Sequence, residues 1–344
     1  MTAGLQVRSG RTKKYEFSRW LRKRVFGISP REATFSRRGF ESCETSAREH
    51  LEHIGQTFLR GYNASLEEGG LAALETRLNS IESECRGFAF EGAAMGLALL
   101  DRLSLRRGAR LQDFLNGPGA AHTYMVHVGA GWTMARLPMS FKPMTDRMDS
   151  LLRWLVIDGY GFHQGYFHWR KYVEGQSIPA RLSGAARRVF DQGLGRSLWF
   201  ISGADVSRIE ATIAQFPEPR LPDLWSGVGL ACTYAGHADR KALEALKTAA
   251  GPCRSHLAQG AAFAAKTRQR ANNCASHTDL ACEVLCNVTS HEAARLTDDA
   301  LENLTSDESA TEYEVWRRRI QTRLSSLIER ESDLPQSHSQ ISGP

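Results

Sequence analysis

The residues with the clearest chemical potential lie between positions 159 and 170, where the chain reads GYGFHQGYFHWR. This stretch combines two histidines, His163 and His168, with several aromatic residues and three glycines. Imidazole rings bind metals and transfer protons near neutral pH. Glycine allows a ligand or another part of the chain to approach the backbone closely. We therefore predict a binding or catalytic site in this stretch.

The spacing of the two histidines limits what they could do together. They are five residues apart, which places them roughly 140° away from a shared face in a regular helix. One of them is therefore predicted to act as a base, a single metal ligand or a donor that orients a ligand. Tyr160, Tyr166 and Trp169 are predicted to form the walls of an aromatic pocket. The alternative is that the aromatic rings belong to the core and the histidines hydrogen-bond the backbone.

A single carboxylate lies in the most apolar segment of the chain, GFAFEGAAMG at residues 87–96. Burial of an unpaired carboxylate is costly and favours its protonated form. Glu91 is therefore a candidate acid or base. The alternative is a structural pair with a buried arginine or histidine. Trp132 and Arg136, from a second apolar segment at residues 120–137, complete the predicted substrate-binding residues.

No ligand set predicts a metal, and no motif names a cofactor. Cys274, His277, Cys282 and Cys286 lack the paired Cys-x2-Cys spacing typical of zinc sites. Dinucleotide-binding, phosphate-loop, metalloprotease and nucleophile-elbow motifs are absent from the sequence. We predict no metal site and leave the cofactor open.

The charge is unevenly distributed along the 344 residues. The formal net charge is +6, but residues 1–40 hold eleven Lys and Arg against two Glu, so the rest of the chain carries 6 − 9 = −3. A basic arm of this kind suits an anionic surface or an acidic partner. Aromatic and basic residues interleave only at positions 13–26, so we do not expect nucleic acid as a partner. The seven scattered cysteines indicate reduced core residues and a cytoplasmic protein.

The elements that carry these residues are predicted to be helices. Apolar residues recur at spacings of three and four, as in Leu71, Leu74, Leu78 and Ile81, and no stretch alternates with period two. No apolar run approaches the ~20 residues that a membrane span needs. We predict an all-α fold, with one large domain at residues 41–331. A basic arm with a short amphipathic helix at residues 15–28 precedes the domain, and a polar tail follows at residues 332–344.

A faint duplication leads to the hypothesis of two weakly similar helical halves. Gly87 and Gly96 bracket one apolar segment, and Gly227 and Gly236 bracket another 140 residues later.

Three motifs occur in an order that resembles the UnbL-like proteins. They are EGAAMG at residues 91–96, GAGWTMAR at 129–136 and GYGFHQGYF at 159–167. The UnbL-like family has no known function and is encoded beside enediyne polyketide synthases. The resemblance covers roughly residues 20–330. It implies a role in antibiotic biosynthesis, in which companion proteins convert a polyketide-derived polyene into an enediyne core, and it supplies no catalytic residues.

Together these observations predict a biosynthetic enzyme or essential accessory protein that acts on a long, apolar polyene. Glu91 is the predicted acid or base, and His163 or His168 is predicted to place or deprotonate the substrate. The rival hypothesis is a non-catalytic interaction protein whose basic arm binds an acidic partner, such as a carrier protein or a synthase. A pocket that carries the polyene without catalysis lies between the two.

Overall fold

The computed structural model describes residues 19–41, 44–104, 109–137, 145–305 and 310–332. Within these ranges the chain is helical and contains no strand, which confirms the all-α prediction. The arm before residue 19 and the polar tail after residue 332 lie outside the described residues. None of the helices in the described part of the chain has the length and apolarity to cross a bilayer.

The helices are named in chain order. The first eight are α1 (19–26), α2 (Phe35–Arg38), α3 (Thr45–Glu67), α4 (Leu71–Asn79), α5 (Ser83–Leu103), α6 (Arg110–Asn116), α7 (Thr123–Arg136) and α8 (Trp154–Phe167). They are followed by α9 (Ala185–Ile201), α10 (Val206–Ile213), α11 (Leu221–Ala235), α12 (Arg240–Ala249), α13 (Arg254–Arg270), α14 (Ser276–Cys286), α15 (Ser290–Asp299) and α16 (Glu312–Ser332). A 3-10 turn, Pro30–Ala33, lies between α1 and α2.

Local sequence signals fix several helix ends. The side chain of Asp205 accepts a hydrogen bond from the backbone N–H of Arg208, 3.1 Å away, and so caps α10. Thr289 and Glu292 form a reciprocal capping box at the start of α15. These bonds satisfy backbone donors that have no partner within the helix.

The long helices α3, α5, α7, α8, α9, α11 and α13 form a row in which each packs against its long neighbours along the chain. Glycines make this close packing possible. A Cβ atom on Gly193 of α9 would lie 1.9 Å from the carbonyl oxygen of Asp158 in α8, and one on Gly195 would lie 2.1 Å from that of Leu224 in α11. Only glycine fits at these two positions, because any side chain would separate the helices.

The same pair of contacts recurs in every helix that carries a Gly-x-Gly motif. The first glycine faces the preceding long helix and the second faces the following one; the pairs are Gly129 and Gly131, Gly159 and Gly161, Gly193 and Gly195, and Gly227 and Gly229. The first glycines are 30, 34 and 34 residues apart. The repeated unit of this fold is therefore one long helix with its connection, a shorter unit than the two halves that the sequence indicates.

The row of helices curves until α11 meets α3. The His50 Nε2 atom lies 2.7 Å from the carbonyl oxygen of Ala235, and the ring of His50 stacks on that of His237 with centroids 5.4 Å apart. Six long helices (α3, α5, α7, α8, α9 and α11) thus surround a common interior. That interior contains the candidate site.

Candidate functional site

An apolar cavity occupies the centre of this ring of helices. The interior of the cavity measures about 50 Å³, which rises to about 600 Å³ when the open space at its mouth is included, and each of the six surrounding helices contributes to the lining. The lining includes the aromatic residues Phe58, Trp132, Phe162 and Tyr166 and the charged residues Glu91 and Arg196. Apolar cavities with a few convergent polar groups are the usual form of small-molecule sites.

Aromatic rings form one continuous wall of the cavity. The ring of Trp132 packs against Phe58 and Phe162, with centroid distances of 4.2 Å and 5.2 Å. Phe162 also stacks on Tyr166 one helical turn away, at 5.9 Å. This wall presents flat, polarisable surfaces, which suit a planar unsaturated ligand.

Two acidic residues, Glu32 and Glu91, line the cavity, and Glu91 is the one that is almost fully buried. The indole N–H of Trp132 donates a hydrogen bond to its Oε1 atom over 3.1 Å. Burial raises the pKa of Glu91 to about 7. The charge of Arg196 and the hydrogen bond from Trp132 lower this pKa, and the Asp158 carboxylate raises it, but burial is the largest effect. A carboxyl group with this pKa both donates and accepts a proton at neutral pH.

A buried ion pair lies beside Glu91. The Arg196 guanidinium donates to the Asp158 carboxylate, which also accepts a hydrogen bond from Gln192 Nε2 over 2.7 Å. Although burial opposes it, the carboxylates of Asp158 and Glu91 raise the pKa of Arg196. The pair is electrically neutral as a unit, so Glu91 is the group that changes the charge of the cavity near neutral pH.

His163 is buried one layer behind the cavity wall. Its ring lies 5.5 Å from that of Trp132 and 4.6 Å from that of Phe167, and both of these residues line the cavity. Neither of its ring nitrogens has a hydrogen-bond partner among the described residues. Burial, aided by Arg136, His168 and Arg38, holds the pKa of His163 well below its usual value, so the ring is neutral at neutral pH.

The other predicted residues of this stretch are more dispersed. His168 is exposed, 6.1 Å from the His163 ring by centroids. Tyr160 is buried outside the cavity, under the guanidinium of Arg181, and the indole of Trp169 donates to the carbonyl oxygen of Arg38 over 3.2 Å. Arg136 is exposed at the end of α7.

The predicted site residues thus divide into three groups. Glu91, Trp132 and Tyr166 line the cavity together, and His163 supports its wall. The remaining predicted residues, Tyr160, His168, Trp169 and Arg136, do not line it. The glycines of residues 159–165 face neighbouring helices and lie in a regular helix, so the backbone there is not left open to a ligand.

The 3-10 turn Pro30–Ala33 covers one side of the cavity. Ala33 lines the cavity, and its carbonyl oxygen accepts a hydrogen bond from the Tyr166 hydroxyl over 3.4 Å. The ring of Phe40 packs edge-on against Tyr166, with centroids 5.0 Å apart. The segment that follows α1 is thereby attached to α8.

Potential metal ligands meet elsewhere, at the surface between α3 and α5. Ligand atoms of His53, Glu82 and Cys85 lie within 4.8 Å of one another there. Of the cysteines considered as ligands from the sequence, Cys282 and Cys286 are fully buried with their thiols toward α13 carbonyl oxygens, and Cys274 is exposed.

Arg196 and Asp158 are the functional candidates that the sequence analysis missed. Asp158 lies in an otherwise apolar helical stretch, as Glu91 does, and Arg196 is the charged residue of the stretch GLGRSLWFI at residues 193–201. That shared property was the available signal, since buried charges of opposite sign need one another.

Comparison with known proteins places residues 17–324 in a single family model, described as a protein of unknown function (DUF1702). Neither a curated protein nor a solved structure matches the chain.

Proposed function

We propose that this chain, which belongs to the DUF1702 family, binds a planar, unsaturated apolar molecule in its central cavity and transfers a proton to or from it through Glu91. The observation that carries the proposal is the meeting of a continuous aromatic wall with one buried carboxyl group whose pKa is about 7. The ligand class that fits both the wall and the resemblance to enediyne-associated proteins is a polyketide-derived polyene.

Each residue of the cavity has a role in this proposal. Trp132 and Phe162 stack on the conjugated chain, and the Trp132 N–H keeps the Glu91 carboxyl in place. A protonated Glu91 would donate to one carbon of the polyene. The resulting carboxylate would remove a proton from another carbon, so that the double bonds shift and no oxidant is consumed. His163 would support the position of Trp132.

Ligand binding is tested with diphenylhexatriene, an uncharged polyene whose fluorescence rises in apolar surroundings. The wild-type chain should bind it, and Ala231→Phe should not, because Ala231 lines the cavity and the added ring would fill it. Ala238→Phe is the matched control, since Ala238 is half-buried and outside the cavity. Unchanged binding by Ala231→Phe, with its fold intact, would show that the cavity is not the binding site.

Catalysis is tested separately in the source organism. The gene is deleted and replaced by the wild-type or the Glu91→Gln form, and the apolar metabolites are compared. Glu91→Gln should bind diphenylhexatriene normally, because its shape is preserved, but an unsaturated precursor should accumulate. Full product formation by this variant would reject the catalytic role and leave a protein that carries the ligand without changing it.

A further inference from the structure

Helix α1 presents an unusual outer face. Four large apolar side chains are exposed among the described residues, and three of them, Trp20, Leu21 and Val25, belong to this short helix, with exposed fractions of 55%, 44% and 60%. Leu21 and Val25 are one helical turn apart, and the guanidinium of Arg24 lies over the ring of Trp20. Such residues usually face the interior, so their exposure indicates a surface that is covered in use.

The C-terminal end of α1 and the residues just after it attach the helix to the domain. The Tyr62 hydroxyl donates to the carbonyl oxygen of Phe26 over 2.9 Å. Asn63 then bonds both the N–H and the carbonyl oxygen of Ile28, at 3.1 Å and 2.8 Å. The outward direction of Trp20, Leu21 and Val25 is therefore set by contacts of the folded domain.

Positive charges line a cleft between α1 and the domain. Next to α1 is a cleft of about 890 Å³ including its mouth, lined by Arg19, Arg22 and Arg110, with Glu68 as its acidic residue and leucines that include Leu97 and Leu100. Arg110 also pairs with Asp101 over 3.1 Å. Burial, together with the charges of Arg110 and Arg19, lowers the pKa of Arg22, as expected where guanidinium groups converge.

We infer that α1 and this arginine cleft form a docking surface for a bilayer of anionic phospholipids. In this arrangement α1 lies in the plane of the interface, with Trp20, Leu21 and Val25 at the level of the headgroups. The arginines contact lipid phosphates, and the leucines of the cleft contact the adjoining apolar part of the lipid. An acidic protein partner would account for the cations but not for three exposed apolar side chains, one of them a tryptophan.

The position of α1 also relates this surface to the cavity. Three residues, 27–29, join the helix to the Pro30–Ala33 turn that covers the cavity. A docked α1 would hold this covering turn close to the bilayer, where apolar molecules concentrate.

The inference is tested by flotation of the full chain with vesicles of phosphatidylcholine alone or mixed with phosphatidylglycerol. The wild-type chain should float with the mixed vesicles and much less with the neutral ones. Arg19→Gln combined with Arg22→Gln should lower the partition coefficient on mixed vesicles by roughly 30-fold. Each cation near the surface contributes about 1 kcal/mol to binding, and about 1.4 kcal/mol corresponds to a tenfold change in the partition coefficient. Trp20→Ser combined with Val25→Ser should weaken binding to both vesicle types.

The matched control removes two cations from exposed positions on other helices, by Arg240→Gln in α12 combined with Arg323→Gln in α16. It has the same net charge as the arginine variant of the cleft and should bind like the wild type. Equal losses for the two charge variants would overturn the inference, and so would absence of wild-type binding. Retention of the wild-type chain by an acidic carrier protein, without binding to vesicles, would assign the surface to a protein partner. The vesicles contain no polyene, so these outcomes are independent of the proposed chemistry.

Discussion

Glu91 links the proposed chemistry to the stability of the fold. Its pKa in the folded chain, about 7, is higher than the 4.5 usual for the side chain. The folded state therefore binds a proton more tightly than the unfolded state does. As a result, the free energy of unfolding should fall as the pH rises from about 4.5 to about 7 and should level off above that range.

The first prediction follows from this fall in the free energy of unfolding with rising pH. The shift corresponds to about 3 kcal/mol of stability lost between the two limits. Glu91→Gln has no such proton, so its stability relative to the wild type should increase by about this amount from pH 4.5 to pH 8. Urea unfolding at a series of pH values measures the difference. Glu210→Gln, which replaces an exposed carboxylate on α10, should show no comparable trend.

The second prediction separates the two histidines. His163→Ala should destabilise the fold by roughly 2 to 4 kcal/mol, because it leaves a void behind Trp132. Binding of diphenylhexatriene should weaken with it. His168→Ala should change neither property appreciably, since its side chain is exposed. Thermal melts and binding titrations measure the loss of stability and of ligand binding in each variant. A larger loss for His168→Ala than for His163→Ala would contradict the prediction.

A third variant shows whether His163 does more than pack. His163→Leu fills nearly the same volume without ring nitrogens. If packing is its whole role, this variant should restore stability and product formation together. Restored stability without product would place a ring nitrogen in the chemistry.

At the scale of the helices, glycines that face the backbone of a neighbouring helix determine how closely the two helices approach. The third prediction is that Gly193→Ala destabilises the protein by about 2 kcal/mol or more, since its Cβ would collide with the carbonyl oxygen of Asp158. This loss should exceed the gain of up to about 1 kcal/mol that alanine brings within a helix. It should also disturb the pairing of Asp158 with Arg196 and hence weaken ligand binding.

The control for this variant is Gly70→Ala, because no atom beyond its two chain neighbours lies within 4 Å of where its Cβ would be. Its effect on the free energy of unfolding should stay within about 0.5 kcal/mol. Equal effects at Gly70 and Gly193 would mean that the helices part easily and that the close contact is not required.

For the whole molecule, the fourth prediction concerns the basic arm. Deletion of residues 1–14 should leave the melting temperature nearly unchanged, because this segment has little apolar surface to bury. Deletion through residue 28 should lower it clearly, since it also removes Phe26 and Ile28 from their contacts with Tyr62 and Asn63. Circular dichroism of both forms monitors the helical signal. A large loss from the shorter deletion would make the arm part of the folded domain.

The sequence alone determined the helical class, the burial of α5 and the exceptional position of Glu91. These properties depend on local periodicity and on one charged residue among apolar neighbours, and both are visible without knowledge of the fold. It also indicated Trp132 and Tyr166, which line the cavity with Glu91. The basic amphipathic helix was visible too, but which of its apolar residues stay exposed was not.

The tertiary structure decided which of the aromatic and charged residues meet. Trp132 is 41 residues from Glu91, and Arg196 is 38 residues from Asp158, so no local pattern links either pair. In the sequence, the glycines of residues 159–165 suggested that a ligand approaches the backbone, because glycine permits the close approach of any neighbouring group. Only the packing of α7, α8 and α9 shows that this neighbour is the backbone of another helix. The same packing places His163 behind Trp132 and His168 at the surface, since five residues along a helix change the face that a side chain occupies.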